Sequence, residues 1–143
     1  SVVAVLCSGL ITGGLLRRGV PLGLLFTGTT LIQTGVWFIA PHLGAWGGLA
    51  AITLYGIVSG APPACMFAAP GRLVGGNRAG PTAFAPLMTG RNLGILAAPV
   101  VAGWLIVDNN WLNVSWTFGV VTAVSALSGF FMAAAIARKQ ETT

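Results

Sequence analysis

The sequence predicts an all-α protein, a polytopic bundle of five transmembrane helices, and three observations support this class. Hydrophobic residues make up 55% of the 143 residues and charged residues only 6%, whereas a soluble globular domain carries about a quarter charged residues. The mean hydropathy is +0.88. The apolar residues also form long runs separated by short polar segments. Because so few polar side chains are available to cover a water-facing surface, we expect one transmembrane domain over residues 1–143, embedded in a lipid bilayer.

The apolar runs predict the individual helices. About 20 residues are needed to cross the hydrocarbon core, so the last four runs are long enough and the first is short. The predicted helices cover about residues 1–16, 20–40, 45–68, 82–107 and 114–137. The short first run, the odd number of spans and the absence of an initiator methionine lead us to expect an incomplete domain, with at least one more helix before Ser1.

The basic residues predict the orientation of the bundle. Six of the seven lie in the first loop, the third loop and the C-terminal tail, which share one side if all five runs cross the membrane. They are Arg17, Arg18, Arg72, Arg78, Arg138 and Lys139. The positive-inside rule makes this side cytoplasmic, so the N-terminus is expected outside and the C-terminus inside. The five tryptophans lie near the opposite helix ends, as an interfacial belt does, and Asp108 falls in an outer loop.

Composition also argues against several function classes. The net charge of +5 comes from scattered pairs of basic residues, not from a clustered basic face, so we expect no nucleic-acid partner. Cys7 and Cys65 lie far apart in apolar segments without a nearby histidine, so we expect no metal site and no cofactor. No carboxylate lies inside any predicted span, and no catalytic triad or phosphate-binding loop is present. We therefore predict no catalytic residue and no enzyme activity.

Arg91 is the leading candidate for a functional residue. It lies with Asn92 inside the apolar run "PLMTGRNLGILAAPVVAGW", 17 residues before Asp108, which corresponds to about 25 Å of helix. That places Arg91 near the cytoplasmic edge of the hydrocarbon core. Two interpretations stay open: the side chain extends toward lipid phosphates, or it lines a substrate pathway as a cation. Asn92 is expected to face a partner helix or the same pathway.

Prolines and one tyrosine mark a second candidate region. Pro62 and Pro63 are predicted to break the third helix, and Pro99 to interrupt the fourth, because proline removes a backbone donor. A static kink and a broken helix at a binding site are both consistent with the proline pair. Tyr55, the only tyrosine, lies mid-membrane in the third helix as a wall of the pathway or as a packing residue.

Small residues recur at every fourth position in the third and fourth helices. The two series are Gly56, Gly60, Ala64 and Ala68, and Gly90, Gly94, Ala98 and Ala102. Such a smooth face favours close helix packing in lipid. The same face would also let helices slide past each other.

The first loop carries a family resemblance. The stretch "GLITGGLLRRGVPLGLLFTG" resembles the signature loop of the major facilitator superfamily, in its degenerate copy between the eighth and ninth helices. The matching positions are Gly13, Gly14, Arg17, Arg18 and Gly19, and the loop aspartate of the family is absent. The segments "SGAPPACMFAAP" and "GRNLGILAAPVVAG" resemble the tenth and eleventh helices of that family.

The resemblance implies a C-terminal half-fragment of a permease, covering family helices eight to twelve. It implies secondary active transport of a small solute by alternating access, with the missing N-terminal half as partner, in a bacterial-type cytoplasmic membrane. It does not imply a particular substrate, direction or coupling ion. The alternative is a non-transporting scaffold or assembly subunit that packs through its small-residue faces.

Overall fold

The computed structural model describes residues 2–74, 81–106 and 111–141, and within these ranges the chain is helical with no strand. The predicted all-α class is therefore confirmed. The helices are α1 (Val2–Arg17), α2 (Leu22–Ile39), α3 (Ala45–Val58), α4 (Ala61–Val74), α5 (Pro81–Leu105) and α6 (Trp111–Glu141), with a short 3₁₀ turn at Ala40–His42 between α2 and α3.

Four stretches are long and apolar enough to cross a membrane, which is consistent with an integral membrane protein. They are Leu22–His42, Ala45–Arg72, Phe84–Leu105 and Trp111–Arg138. The first predicted span is not among them, because α1 has only 16 residues and its apolar part runs from Leu6 to Arg17. A helix of this length falls short of the hydrocarbon thickness.

The third predicted span consists of two helices. α3 and α4 contain 14 residues each and are separated by a turn at Ser59–Gly60. We predicted the break at Pro62 and Pro63, but it lies just before them. Both prolines belong to the first turn of α4, where the missing N–H has no helical acceptor to lose.

The prediction that Pro99 interrupts the fourth span is wrong. α5 is one helix from Pro81 to Leu105, with Pro86 and Pro99 inside it, and α4 likewise contains Pro70. A single proline removes one backbone donor. The remaining hydrogen bonds keep a membrane helix continuous, because no water competes for them.

In the part of the chain that the structure describes, the closest helix packing joins α2 to α6. A Cβ placed on Gly23 of α2 would lie only 2.1 Å from the Cβ of Ala133 on α6. Farther along, Gly129 receives the ring of Phe26. Small residues thus let the two backbones approach closely, as expected where lipid supplies no hydrophobic driving force.

Polar and aromatic contacts connect the same two helices. The hydroxyl oxygens of Thr34 and Thr122 are 3.0 Å apart, and the Ser115 hydroxyl donates to the backbone oxygen of Trp37. The ring of Trp37 stacks on Phe118 with a centroid distance of 5.3 Å. Interhelical hydrogen bonds of this kind add to van der Waals packing in membranes.

The two ends of the bundle differ in chemistry, one being basic and the other aromatic. At one end, the loop around Gly19, Arg72 of α4 and Ala137 of α6 line a common cavity. At the other end, Trp37 and Trp111 line another cavity. Arg78 and Asp108, on which the predicted orientation depends, lie outside the described residues, so the orientation stays a prediction.

Candidate functional site

The turn at Ser59–Gly60 is the centre of the candidate site. α3 ends with a hydrogen bond from the Ser59 amide to the Tyr55 oxygen (2.9 Å), and the Ser59 hydroxyl donates to the Gly56 oxygen (2.9 Å). Pro62 and Pro63 have no N–H, so the carbonyls of Val58 and Ser59 lack the donor that a continuous helix would supply. These carbonyl oxygens lie in the middle of a 28-residue apolar span. Such groups are tolerated at membrane depth where they face protein or a water-filled cavity.

Helix α1 covers this turn. A Cβ on Gly9 would lie 3.7 Å from the Gly60 oxygen, so α1 touches the turn through glycine. Ser8 and Thr12 are buried on α1, and Cys65 of α4 is fully buried. The Thr12 hydroxyl donates to the Ser8 backbone oxygen at 2.8 Å, so its hydrogen bond is formed within α1 and needs no acceptor on another helix. The turn therefore has a packed side formed by α1.

Arg91 and Asn92 lie on the least covered helix. Both are exposed, and none of the apolar window of α5 is buried. Within the described ranges, no hydrogen bond or ion pair of the Arg91 side chain is formed. An arginine at the centre of a membrane helix costs about 2.5–3.5 kcal/mol, and the cost is smaller toward the edge of the hydrocarbon core, where Arg91 is predicted to lie. The two interpretations of Arg91, a contact with lipid phosphates and a position lining a substrate pathway, therefore both stay open.

The small-residue faces have different surroundings. Gly90 and Gly94 are exposed, and a Cβ on either, or on Gly56, would meet no atom within 4 Å. Ala98 is half-buried, whereas Gly60 is buried and touches α1 at Gly9. Within the described part of the chain, the face of α5 is thus uncovered, and its role in helix packing stays a prediction.

Tyr55 belongs to an aromatic cavity that the sequence did not reveal. Its ring meets Trp37 edge-on, with centroids 5.7 Å apart. A cavity of about 460 Å³ lies beside them, lined also by Trp111 and Ser115. The indole nitrogen of Trp37 is buried and has no hydrogen-bond acceptor among the residues that the structure describes. The tryptophans were interpreted only as an interfacial belt, because their clustering depends on the pairing of α2 with α6.

The first loop owes its geometry to a helix cap. Gly19 has φ +87°, the left-handed conformation typical of the residue after a helix. Its amide donates to Leu16 (3.3 Å), and the amide of Val20 donates to Leu15 (3.2 Å). This is the Schellman pattern. Gly19 is therefore explained by local structure, whatever further role the loop has.

Arg72 connects this cap to α4. Its guanidinium Nη2 donates to the Leu16 oxygen at 3.1 Å. Arg17 and Arg18, the two charged residues of the loop motif, are exposed, and Gly13 and Gly14 lie within α1. A Cβ on either of these two glycines would meet nothing within 4 Å.

The predicted site residues thus form separate groups. Tyr55, Pro62 and Pro63 flank the turn in one span, Arg91 and Asn92 lie on the exposed α5, and the loop motif lies at the basic end. Comparison with protein-family models, with curated proteins and with solved structures finds no match to this chain. The resemblance to the major facilitator superfamily therefore depends on the sequence motifs alone.

Proposed function

We propose that this chain is part of a secondary transporter that resembles the C-terminal half of a major facilitator superfamily permease. It would move a small solute across a bacterial-type cytoplasmic membrane by alternating access, together with the missing N-terminal half. The observation that carries the proposal is the turn at Ser59–Gly60, which divides an apolar span into two 14-residue helices.

The position of this turn favours transport over a purely structural role. A continuous helix would satisfy every backbone group of the span internally, which is the cheapest arrangement in lipid. Interrupting it at the midpoint leaves carbonyl oxygens where no bulk water replaces the lost donors. Discontinuous helices in transporters place such carbonyls near the bilayer midplane, where they coordinate ions or substrate.

The uncovered α5 supplies the second element of the proposal. Arg91 and Asn92 would line the pathway opposite the missing half, with the guanidinium binding an anionic group of the solute or a carboxylate of the partner. Charged residues inside membrane spans usually face a bundle interior or a cavity and mark substrate routes. No acidic residue occurs inside the apolar spans of this sequence, so if the transporter is proton-coupled through a carboxylate, that carboxylate would lie outside this sequence.

A scaffold is the second candidate function, and the uncovered face of α5 favours it. Gly90 and Gly94 are exposed at helical spacing, a surface suited to a permanent helix partner. In that case α5 would be covered at all times and its polar residues would never meet water from both sides.

Accessibility of position 92 separates the two candidates. The full-length protein that contains this chain is expressed with its native cysteines, Cys7 and Cys65 included, replaced and with Asn92→Cys introduced, then treated with a membrane-impermeant maleimide from either side of sealed vesicles. Alternating access predicts labelling from both sides. Leu127→Cys, on an exposed apolar position of α6, is the lipid-facing control and should stay unlabelled. Labelling of position 92 from one side only, or from neither, contradicts transport and leaves the scaffold.

A further inference from the structure

The basic end of the bundle contains a cavity of about 240 Å³ between three helices. Its lining includes Gly19, Pro21, Arg72, Ala133, Ile136 and Ala137. We propose that this cavity binds the phosphate of an anionic phospholipid headgroup, with Arg72 as the principal ligand. This lipid site is independent of the proposed transport function.

The depth of the cavity matches the headgroup region. Three apolar spans have their ends here: Leu22–His42 begins beside it, Ala45–Arg72 ends in it, and Trp111–Arg138 ends one residue after Ala137. The cavity therefore lies at the edge of the hydrocarbon core, where phosphates are found.

The charge of the cavity suits an anion. The Arg72 guanidinium is held in place by the Leu16 oxygen at 3.1 Å, which uses one of its five N–H donors. Among the described residues, its other N–H groups have no acceptor. Arg17 and Arg18 are exposed on the adjoining loop, and none of the lining residues is acidic. The described lining of the cavity thus offers oriented positive charge without an acidic residue.

The remaining lining favours a lipid over a free anion. Ile136, Ala133 and Leu22 bring apolar surface beside the guanidinium, so an occupant with a charged head and an apolar body would satisfy both parts. Inorganic phosphate would leave the apolar part uncovered. Basic pockets between membrane helices bind anionic headgroups by the same combination of charges and apolar walls.

Native mass spectrometry of the full chain, titrated with phosphatidylglycerol, tests the proposal. Arg72→Gln, which keeps a donor for Leu16 but removes the charge, should weaken binding about fivefold. Phosphatidylcholine should bind more weakly than phosphatidylglycerol. Inorganic phosphate at matched concentration should not displace the lipid; if it does, the site belongs to a free phosphate and the proposal is overturned.

Two further variants keep the test independent of folding. Ala137→Phe fills the cavity without changing any charge, and should also weaken binding. Ala135→Phe, on an exposed position outside the cavity, is its matched control and should bind normally. Wild-type binding by Ala137→Phe would overturn a specific site.

Discussion

Gly23 of α2 and Ala133 of α6 are in closer contact than any side chain at position 23 would allow. A Cβ on Gly23 would lie 2.1 Å from the Cβ and 2.7 Å from the Cα of Ala133. These atoms belong to a helix and cannot turn away, so a larger residue must push α2 and α6 apart.

We therefore expect Gly23→Ala to lower the stability of the bundle by about 1–3 kcal/mol, the range for overpacked sites. The measurement is the thermal unfolding midpoint in detergent. Gly28→Ala on the same helix is the control, since a Cβ there meets nothing within 4 Å. Combining Gly23→Ala with Ala133→Gly should restore part of the loss. An unchanged midpoint in Gly23→Ala would contradict the close approach of these helices.

Ser115→Ala should destabilise the same interface by about 1 kcal/mol, because it removes the hydrogen bond that the hydroxyl donates to the Trp37 oxygen. Denaturant titration of the purified chain would measure the difference. Ser125→Ala is the matched control, since that hydroxyl bonds only the Val121 oxygen of its own helix (3.0 Å). Equal effects in the two variants would mean that the contact between α6 and α2 contributes nothing.

Gly19→Ala should cost about 1 kcal/mol of stability, because the residue at the end of α1 has φ +87° and an L-residue is strained there. Gly19→Asn should lose less, as asparagine tolerates this conformation better. In contrast, Gly13→Ala in the interior of α1 should be neutral or stabilising, since alanine favours a helix. Thermal midpoints of the three variants check the order, and an equal midpoint for the Gly19 and Gly13 alanine variants would argue against the cap.

In the full-length protein, Arg91→Ala should insert into the membrane normally yet impair transport. If the guanidinium binds a charged group in the pathway, removing it should reduce uptake or efflux about tenfold or more, the value of a charged hydrogen bond. Arg91→Lys should retain part of the activity because it keeps the charge. Expression level in membranes serves as the insertion control. Transport at the wild-type rate would leave only the interaction of Arg91 with lipid phosphates.

Single cysteines should report the orientation. A cysteine in place of Asp108 should react with an impermeant reagent from outside, and one in place of Arg78 only from inside, because the basic loops are predicted to be cytoplasmic. Intact and inverted vesicles give the two sides. The opposite pattern would reverse the orientation of the whole bundle.

The approximate positions of the membrane helices were predictable, because the length of each apolar run indicates whether it can cross the membrane. The proline pair at Pro62 and Pro63 also located the break in the third span closely, since proline disfavours a helical residue before it. The break lies just before the prolines and not at them, because both prolines are accommodated in the first turn of α4. The error at Pro99 arose because a membrane environment keeps the surrounding hydrogen bonds intact.

The pairing of α2 with α6 was not predictable from spacing. The regular series of small residues predicted packing at Gly90 and Gly94, which are exposed. The close contacts between α2 and α6 are instead made at Gly23 and Gly129. Which glycine lies in an interface depends on how two distant helices are rotated toward each other. Hydropathy does not contain that information, because lipid-facing and helix-facing surfaces are both apolar.

The separation of α2 and α6 along the chain sets the order in which the protein is assembled. Thr34 and Thr122 are 88 residues apart, so at about 5–20 residues per second, ribosomes complete the partner of α2 about 4–18 seconds later. During that interval the buried polar face of α2 meets lipid or the insertion machinery. The Thr30 hydroxyl needs no partner on α6 during this interval, because it donates to the Phe26 backbone oxygen at 2.8 Å within the same helix. Hydrogen bonds of this kind within α2 thus allow the helix to enter the membrane before α6 has been synthesised and to pack against α6 afterwards.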